Sequence, residues 1–304
     1  MAPGNGKGFN VLWATDGSDS SRSAIPLIRR LVLPATQKLT VLSVAPHSLL
    51  TGARPDPAFL TRITPAARRR AVLDAEDLAQ AAATELDPTS IEVEATSRWG
   101  NPIEEVLRVS RSSHADLIVL GAKGHSNLGL ILLGSVSQGV VQYSTRPVLI
   151  ARPGSGEVRS VVIGFDGSAP ARGAVAFLDR LGLALDVAFH VVYVVEPFGV
   201  PPGTPASYRK QAFAQAQEIN KKRDEEAQRS LEALGATLRT SGRKVETEVV
   251  HGAAGPELDR VARDRGSDLI VVGSRKPSPS RHYLLGSTAE KLVRHSHASV
   301  LIVR

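Results

Sequence analysis

The segment Asp116-Leu-Ile-Val-Leu-Gly121-Ala-Lys-Gly124 is followed, after nine further residues, by Gly134-Ser135. Its apolar run is typical of a buried parallel strand, and the glycines behind the run indicate a loop that leads into a helix. Glycine lets the main chain approach a ligand closely, and the N–H groups at a helix start attract anions. The segment therefore predicts a strand–loop–helix unit that can hold a phosphate-bearing ligand.

The same pattern recurs in the second half of the chain. Asp268-Leu-Ile-Val-Val-Gly273 leads into Ser-Arg-Lys276 and, after nine residues, into Gly286-Ser287. Near the start of each half, Asp16-Gly-Ser18 matches Asp166-Gly-Ser168. These two motifs lie 166 − 16 = 150 residues apart, close to the 273 − 121 = 152 residues between Gly121 and Gly273. A repeat of this length indicates a duplicated domain and not a solenoid.

Domain boundaries follow from the repeat and from composition. A chain of 304 residues is long enough for two ordinary domains. We predict domains at residues 1–152 and 159–304, joined by a Pro/Gly/Ser-rich linker at 153–158.

Strand-like runs alternate with helical stretches in both halves, which predicts an α/β fold of two tandem doubly wound domains. Each domain is expected to hold a five-stranded parallel sheet in the order 3-2-1-4-5, with helices on both faces. Strands are predicted near residues 10–15, 39–45, 91–96, 116–121, 147–151, 159–165, 187–195, 245–250, 268–273 and 299–303. Helices are predicted near residues 20–32, 64–86, 102–112, 135–143 and 207–240, with irregular segments at 46–63 and 196–206.

Composition narrows the class of protein. The absence of cysteine excludes disulfides and thiolate metal sites, which fits a reducing, cytoplasmic location. No apolar run is long enough for a membrane span, so no membrane partner is expected. The net charge of +7 raises the question of a polyanion, but aromatics are only 4%. Arg68-Arg69-Arg70 reads as a solvated helix face, which disfavours nucleic acid as a partner.

The expected strand order brings two motifs to one crevice, because ligands of doubly wound sheets bind where the strand order reverses. Gly121 and Gly124 would let the main chain reach phosphate oxygens, and Gly134 with Ser135 would supply amide donors and a hydroxyl. Asp16 suits a ribose hydroxyl, an adenine amine or Mg²⁺. Val44 would line an apolar slot. Each residue also has a purely structural explanation: turn glycine, N-cap, turn initiator or core side chain.

The spacing Gly-x2-Gly-x9-Gly-Ser, the early Asp16 and the closing Arg146-Pro-Val-Leu-Ile150 run resemble those of the universal stress protein family. The resemblance covers essentially the whole chain as a tandem pair of such domains. Likeness to the ATP-binding members implies ATP, with or without Mg²⁺, as the cofactor. It further implies these nucleotide-binding positions: Asp16, Val44, Gly121, Gly124, Gly134, Ser135, Val136 and Ser137. No catalytic residue and no protein metal site are predicted.

The second half departs from this pattern. Lys276 replaces the second glycine, and Pro277 and Pro279 follow it. A non-glycine residue there would resist positive φ, although Lys276, Arg275 and Arg281 offer charges for phosphates. Nucleotide binding in this half therefore stays open. The matching candidate positions are Asp166, Val194, Gly273, Gly286, Ser287 and Thr288.

The favoured function is a cytoplasmic stress-response protein that binds an adenine nucleotide as a sensor or switch, with slow or no hydrolysis. The alternatives are a protein-interaction module without nucleotide, and a slow ATPase or self-phosphorylating enzyme. No P-loop and no Gly-x-Gly-x2-Gly fingerprint occurs in the chain. The apolar last strands, 148–151 and 300–303, are expected to pair antiparallel within the chain, and a homodimer remains open.

Overall fold

The computed structural model of the chain describes residues 9–32, 36–47, 64–86, 91–122, 133–154, 158–274 and 285–304. Ten strands lie within these residues: β1 Phe9–Ala14, β2 Thr36–Pro46, β3 Glu92–Gly100, β4 Leu117–Gly121, β5 Val148–Ala151, β6 Ser160–Gly164, β7 Ala188–Val195, β8 Val245–His251, β9 Leu269–Gly273 and β10 Ser299–Val303. The α-helices in the same part of the chain are α1 Asp19–Arg22, α2 Ala24–Leu27, α3 Pro65–Leu86, α4 Pro102–Ser112, α5 Ser135–Tyr143, α6 Ala169–Arg180, α7 Ala206–Thr240, α8 Ala254–Asp264 and α9 Ser287–His295.

All ten strands form one open sheet in the order β3-β2-β1-β4-β5-β10-β9-β6-β7-β8. Strands within each half pair in parallel and follow the predicted 3-2-1-4-5 order, so the α/β doubly wound fold is confirmed. The two halves meet at β5 and β10, which pair antiparallel with Leu149 opposite Leu301. This pairing confirms the prediction for the last strands.

The shared sheet gives the two halves a continuous core on each face. Leu149 and Leu301 point to one face, while Val148, Ile150 and Ile302 point to the other. All five are fully buried. Burial of one such side chain stabilises a fold by roughly 1.5–3 kcal/mol, so the seam between the halves is held by a hydrophobic core as well as by backbone hydrogen bonds.

The helix predicted near 20–32 is broken in the structure. It divides into α1, α2 and a π-helical turn at Ile28–Val32, with Ser23 between the first two pieces. Pro26 explains the break, because it has no N–H to donate to the carbonyl of Arg22 and its ring crowds that carbonyl. The matching helix α6 carries its Pro170 in the first turn, where proline is tolerated, and runs unbroken for 12 residues.

Two long helices, α3 of 22 residues and α7 of 35 residues, cover the same face of the sheet in the two halves. The segment 196–205 is irregular, as predicted. Most of the predicted 46–63 segment and part of the 153–158 linker lie outside the described residues. Among the helices that the structure describes, none combines the length and apolar character needed to cross a membrane.

Candidate functional site

A cavity of about 820 Å³ opens at the carboxyl ends of β1, β2 and β4, between the sheet, α3 and the start of α5. This is the point in the first half where the strand order reverses. Seven of the eight positions proposed for the first half line the cavity: Asp16, Val44, Gly121, Gly134, Ser135, Val136 and Ser137. The eighth, Gly124, lies outside the described residues.

A tight turn after β1 places Asp16 at this cavity. Ser18 donates twice to Asp16 Oδ1, from its backbone N–H at 3.0 Å and from its hydroxyl at 2.6 Å. Gly17 between them has a φ of +76°, which glycine adopts without strain. Below the turn, the hydroxyls of Thr15 and Ser21 are 2.8 Å apart. Asp16 itself is exposed, and an ionised carboxylate can accept several hydrogen bonds, so it suits a ligand hydroxyl.

Gly121 is explained by packing within the fold. A Cβ at this position would lie 2.4 Å from the carbonyl oxygen of Ser20 in α1, so only glycine allows the end of β4 to approach that helix. This packing role stands beside the predicted role of Gly121 in letting the main chain reach phosphate oxygens, which stays a prediction. Its carbonyl also accepts the buried hydroxyl of Ser137 at 2.7 Å, which ties α5 to β4.

The start of α5 forms the polar end of the cavity. Gly134 is its N-cap and no side chain caps the helix. The N–H of Gly134 donates to the carbonyl of Ala122 at 2.7 Å, which joins the two ends of the loop. The first N–H groups of a helix have no intrahelical acceptor, and the helix dipole favours negative charge beside them. The N–H groups of Ser135 and Val136 therefore suit an anionic ligand group.

The wall of the cavity that α3 forms carries small alanine side chains beside the Arg70–Asp74 ion pair. Ala67, Ala71 and Ala75 lie one turn apart along α3 and line the cavity together with Ser43. Ser43 alternates with Leu39 and Val41 along β2 and therefore lies on the sheet face that α3 covers, whereas Val44 packs toward the other face. Short side chains on both walls leave a slot instead of a packed interface. Ligand cavities of this kind are typically apolar, with a few convergent polar groups.

Ser43 and the α3 alanines are residues that the sequence analysis missed. The alanines at positions 67, 71, 75 and 79 recur every four residues, a stripe that could have indicated a close approach between α3 and the sheet. Ser43 carries no comparable signal, because a small side chain in a strand is read simply as part of the sheet.

A protein-built metal site finds no support in the described part of the chain. No group of three or more His, Asp or Glu side chains is placed there to hold an ion. Asp16 is a single carboxylate, which fits a Mg²⁺ held mainly by the phosphates of a ligand, since Mg²⁺ commonly needs only one or two carboxylates.

The second half repeats the turn and the glycine contact. Asp166 accepts the backbone N–H of Ser168 at 3.0 Å. A Cβ at Gly273 would lie 2.2 Å from the carbonyl of Pro170, so this glycine is also required for packing. Val194 is half-buried against the core on one face of the sheet.

The second half also has an uncapped helix start like that of α5. Gly286 is the N-cap of α9 without a side-chain cap, and Ser287 and Thr288 form its first turn. The residues that distinguish the second loop, Arg275, Lys276, Pro277, Pro279 and Arg281, lie outside the described residues.

Comparison with known proteins agrees with this architecture. The sequence profile of the Universal stress protein family matches residues 9–152 and again residues 157–304. Universal stress protein YxiE of Bacillus subtilis (strain 168) is 33% identical over 151 residues, which cover 47% of this chain and 99% of the relative. Universal stress protein MJ0531 of Methanocaldococcus jannaschii is 29% identical over 157 residues, covering 51% of this chain and 87% of the relative.

A solved structure extends the likeness to the full length. The crystal structure of a universal stress protein from Archaeoglobus fulgidus DSM 4304 has a TM-score of 0.67 at 20% identity, covering 97% of this chain and 98% of that chain. At this identity the match speaks for the fold alone. Together with the two profile matches, it leads to the conclusion that this chain belongs to the universal stress protein family and carries the family's domain twice in tandem.

Proposed function

We propose that the first half binds ATP, or a closely related adenine nucleotide, in the 820 Å³ cavity, and that the protein acts as a cytoplasmic nucleotide sensor or switch in a stress response. The observation that carries the proposal is the meeting of three separate segments at one cavity. Asp16 follows β1, the Ser43–Val44 pair belongs to β2, and the uncapped start of α5 follows the glycine loop.

Each part of a nucleotide has a matching surface in this cavity. The amides of Ser135 and Val136 suit phosphate oxygens, because they combine donors with the positive end of the helix dipole. Asp16 suits a ribose hydroxyl, as it can only accept hydrogen bonds when ionised. The slot lined by Ser43 and Ala71 suits the flat, largely apolar base, and Val44 also lines the cavity.

Hydrolysis is expected to be slow or absent. Phosphoryl transfer needs a residue that orients the attacking water and a cation near the transferred group. The described residues at the polar end of the cavity supply neither a water-orienting residue nor a cation; they are Gly134, Ser135, Val136 and Ser137. Arg70 lies on the opposite wall, in an ion pair with Asp74 at 2.9 Å. Binding without rapid turnover is the behaviour expected of a switch.

The variant Ser135→Asp tests the phosphate position. A carboxylate in the first turn of α5 stabilises the helix but repels phosphate, so ATP affinity should fall at least about tenfold while the melting temperature is kept or raised. Isothermal titration calorimetry and thermal unfolding measure the two effects separately.

Ala206→Asp is the matched control, because it places the same charge in the first turn of α7. That helix also lacks a side-chain cap and an acidic residue in its first turn. Its ATP affinity should equal that of the wild type. Undiminished ATP binding by Ser135→Asp, or an equal loss in both variants, would contradict the proposed site.

A further inference from the structure

The cavity of the first half has a counterpart position in the second half, and the two can be compared residue by residue. Gly17 lies against Leu78 of α3, and Gly167 lies nearest to Ser230 of α7. This match sets the register between the two long helices and makes Ala227 the counterpart of Ala75. Both alanines are buried, at 0% and 4% exposure.

Four small residues at the first cavity are replaced by large ones in the second half. Thr15, Ser43, Ala67 and Ala71 line or adjoin the slot in the first half. Their counterparts are, in the same order, Phe165, Tyr193, Ile219 and Arg223. Each exchange adds side-chain volume on the side of the sheet that faces α7.

Phe165 and Tyr193 fill the floor of the second crevice. Phe165 is 6% exposed and belongs to the core beneath α6 and α7, and Tyr193 packs against the same core. Burial, together with the nearby carboxylates of Glu226 and Asp166, raises the pKa of the Tyr193 hydroxyl. Tyr193 thus packs on the sheet face that α7 covers, at the position where the first half has the short side chain of Ser43.

Arg223 spans the mouth of the second crevice. Its guanidinium Nη1 donates to the carbonyl of Glu196 at 3.0 Å and lies 5.8 Å from the ring centre of Phe198. Asn220 holds the same segment, because it accepts the N–H of Phe198 at 2.8 Å and donates to its carbonyl at 3.1 Å. The corresponding residues of the first half, Ala71 and Pro46, both line the cavity.

We infer that the second half has exchanged the base-binding slot for packed side chains, and that Tyr193 and Arg223 confine nucleotide binding to the first half. The protein then binds one nucleotide per chain despite its two similar domains. The statement about stoichiometry rests on the function proposed above, whereas the statement that the slot is filled does not.

Single cysteines test the filled slot without any ligand, because the chain has no cysteine of its own. Ala75→Cys places a thiol on the wall of the first cavity, and Ala227→Cys places one at the matching point of the second half. Ala79→Cys, fully buried in the core, and Leu73→Cys, exposed on the same helix, set the slow and fast limits of the modification rate.

The expected result is that a small methanethiosulfonate reagent modifies Ala75→Cys at least about tenfold faster than Ala227→Cys, since a packed thiol reacts only after local opening. The rate for Ala227→Cys should be close to that of Ala79→Cys. Equal rates at positions 75 and 227 would overturn the inference, whether or not the protein binds ATP.

Ser43→Tyr introduces into the first half the tyrosine that the second half has at the matching position, Tyr193. Equilibrium dialysis with labelled ATP should give one nucleotide bound per wild-type chain and none for Ser43→Tyr. Leu73→Tyr, an exposed change on α3, should bind as the wild type does. Two nucleotides per wild-type chain, or one retained by Ser43→Tyr, would overturn the inference. A wild type that binds none would refute the proposed function instead, and the thiol rates would still decide whether the second slot is filled.

Discussion

Arg152 and Arg304 follow the two paired strands β5 and β10, and each guanidinium donates to a helix carbonyl in the opposite half. Arg152 Nη2 lies 2.6 Å from the carbonyl oxygen of Val293 in α9, and Arg304 Nη2 donates to the carbonyl of Val141 in α5. Both carbonyls belong to the last turn of their helix, where intrahelical partners are missing and the dipole favours a cation. The two arginines therefore act as reciprocal helix caps across the seam.

Removing one of these caps should lower the free energy of unfolding of the protein. Arg152 is 4% exposed, and burial lowers the pKa of its guanidinium. Arg152→Met keeps the aliphatic stem but leaves the Val293 carbonyl unpaired, so the free energy of unfolding should fall by about 1–3 kcal/mol. Urea denaturation measures the change. Arg294→Met, which removes a half-exposed ion pair with Glu290, should cost less than about 1 kcal/mol. Equal losses in the two variants would contradict the capping role.

Gly121→Ala should destabilise the fold irrespective of any ligand. The added methyl group would lie 2.4 Å from the Ser20 carbonyl oxygen, so α1 or β4 must shift. Overpacking of this kind costs about 1–3 kcal/mol. In Gly173→Ala the new Cβ meets no atom within 4 Å inside α6, and the variant should gain about 0.5–1 kcal/mol from helix propensity. We expect thermal unfolding to show a lower melting temperature for Gly121→Ala and a higher one for Gly173→Ala. An unchanged melting temperature for Gly121→Ala would refute the packing explanation.

His190 should make stability fall in mild acid. Burial lowers the pKa of its imidazole below the ordinary 6.5, with Arg265 acting in the same direction and Glu246 opposing them. Below pH 6.5 the unfolded chain therefore binds a proton that the folded chain resists, and stability decreases as the pH falls.

The variant His190→Thr tests this pH dependence, because Thr40 stands at the matching position of the first half and is buried there. Unfolding free energies are measured at neutral pH and about one unit below the ordinary histidine pKa. The variant should lose less stability over this interval than the wild type. Parallel pH profiles would rule His190 out as the cause.

Asp16→Asn tests the ribose assignment. Loss of the charged acceptor should weaken ATP binding about tenfold, to the same extent in Mg²⁺ and in EDTA, because a ribose hydroxyl is bound without the metal. Asp19→Asn, on the neighbouring first turn of α1, should bind normally. A loss confined to the Mg²⁺ condition would instead assign Asp16 to the metal.

Much of the fold could be predicted from local patterns. Continuous apolar runs such as Leu117–Gly121 identify buried parallel strands, and the duplicated motifs predict two similar halves. The break at Pro26 was missed, although the physical rule for it is simple, since the apolar pattern continues through the proline.

The candidate site was predicted in part. Asp16 and the residues of the α5 start line the cavity, and they could be predicted because turns and helix starts have recognisable chemistry. Ser43 and Ala71 were missed, because a slot is made by what short side chains leave empty. The packing role of Gly121 could not be predicted, because its contact with Ser20 joins segments that are far apart in the chain.

The sequence alone was enough to establish the alternation of strands and helices and the duplication, since both depend on patterns that can be read along the chain. The strand order and the antiparallel seam were expected from the sequence, but they were settled only by the tertiary structure, because they join strands that are far apart in the chain. Whether a half keeps an open slot depends on the summed volumes of side chains from distant segments. In the first half, β1, β2 and α3 bring these side chains together; in the second half, β6, β7 and α7 do so. Ser43 and Tyr193 occupy equivalent places in the pattern, and it is the packing around them that leaves one crevice open and fills the other.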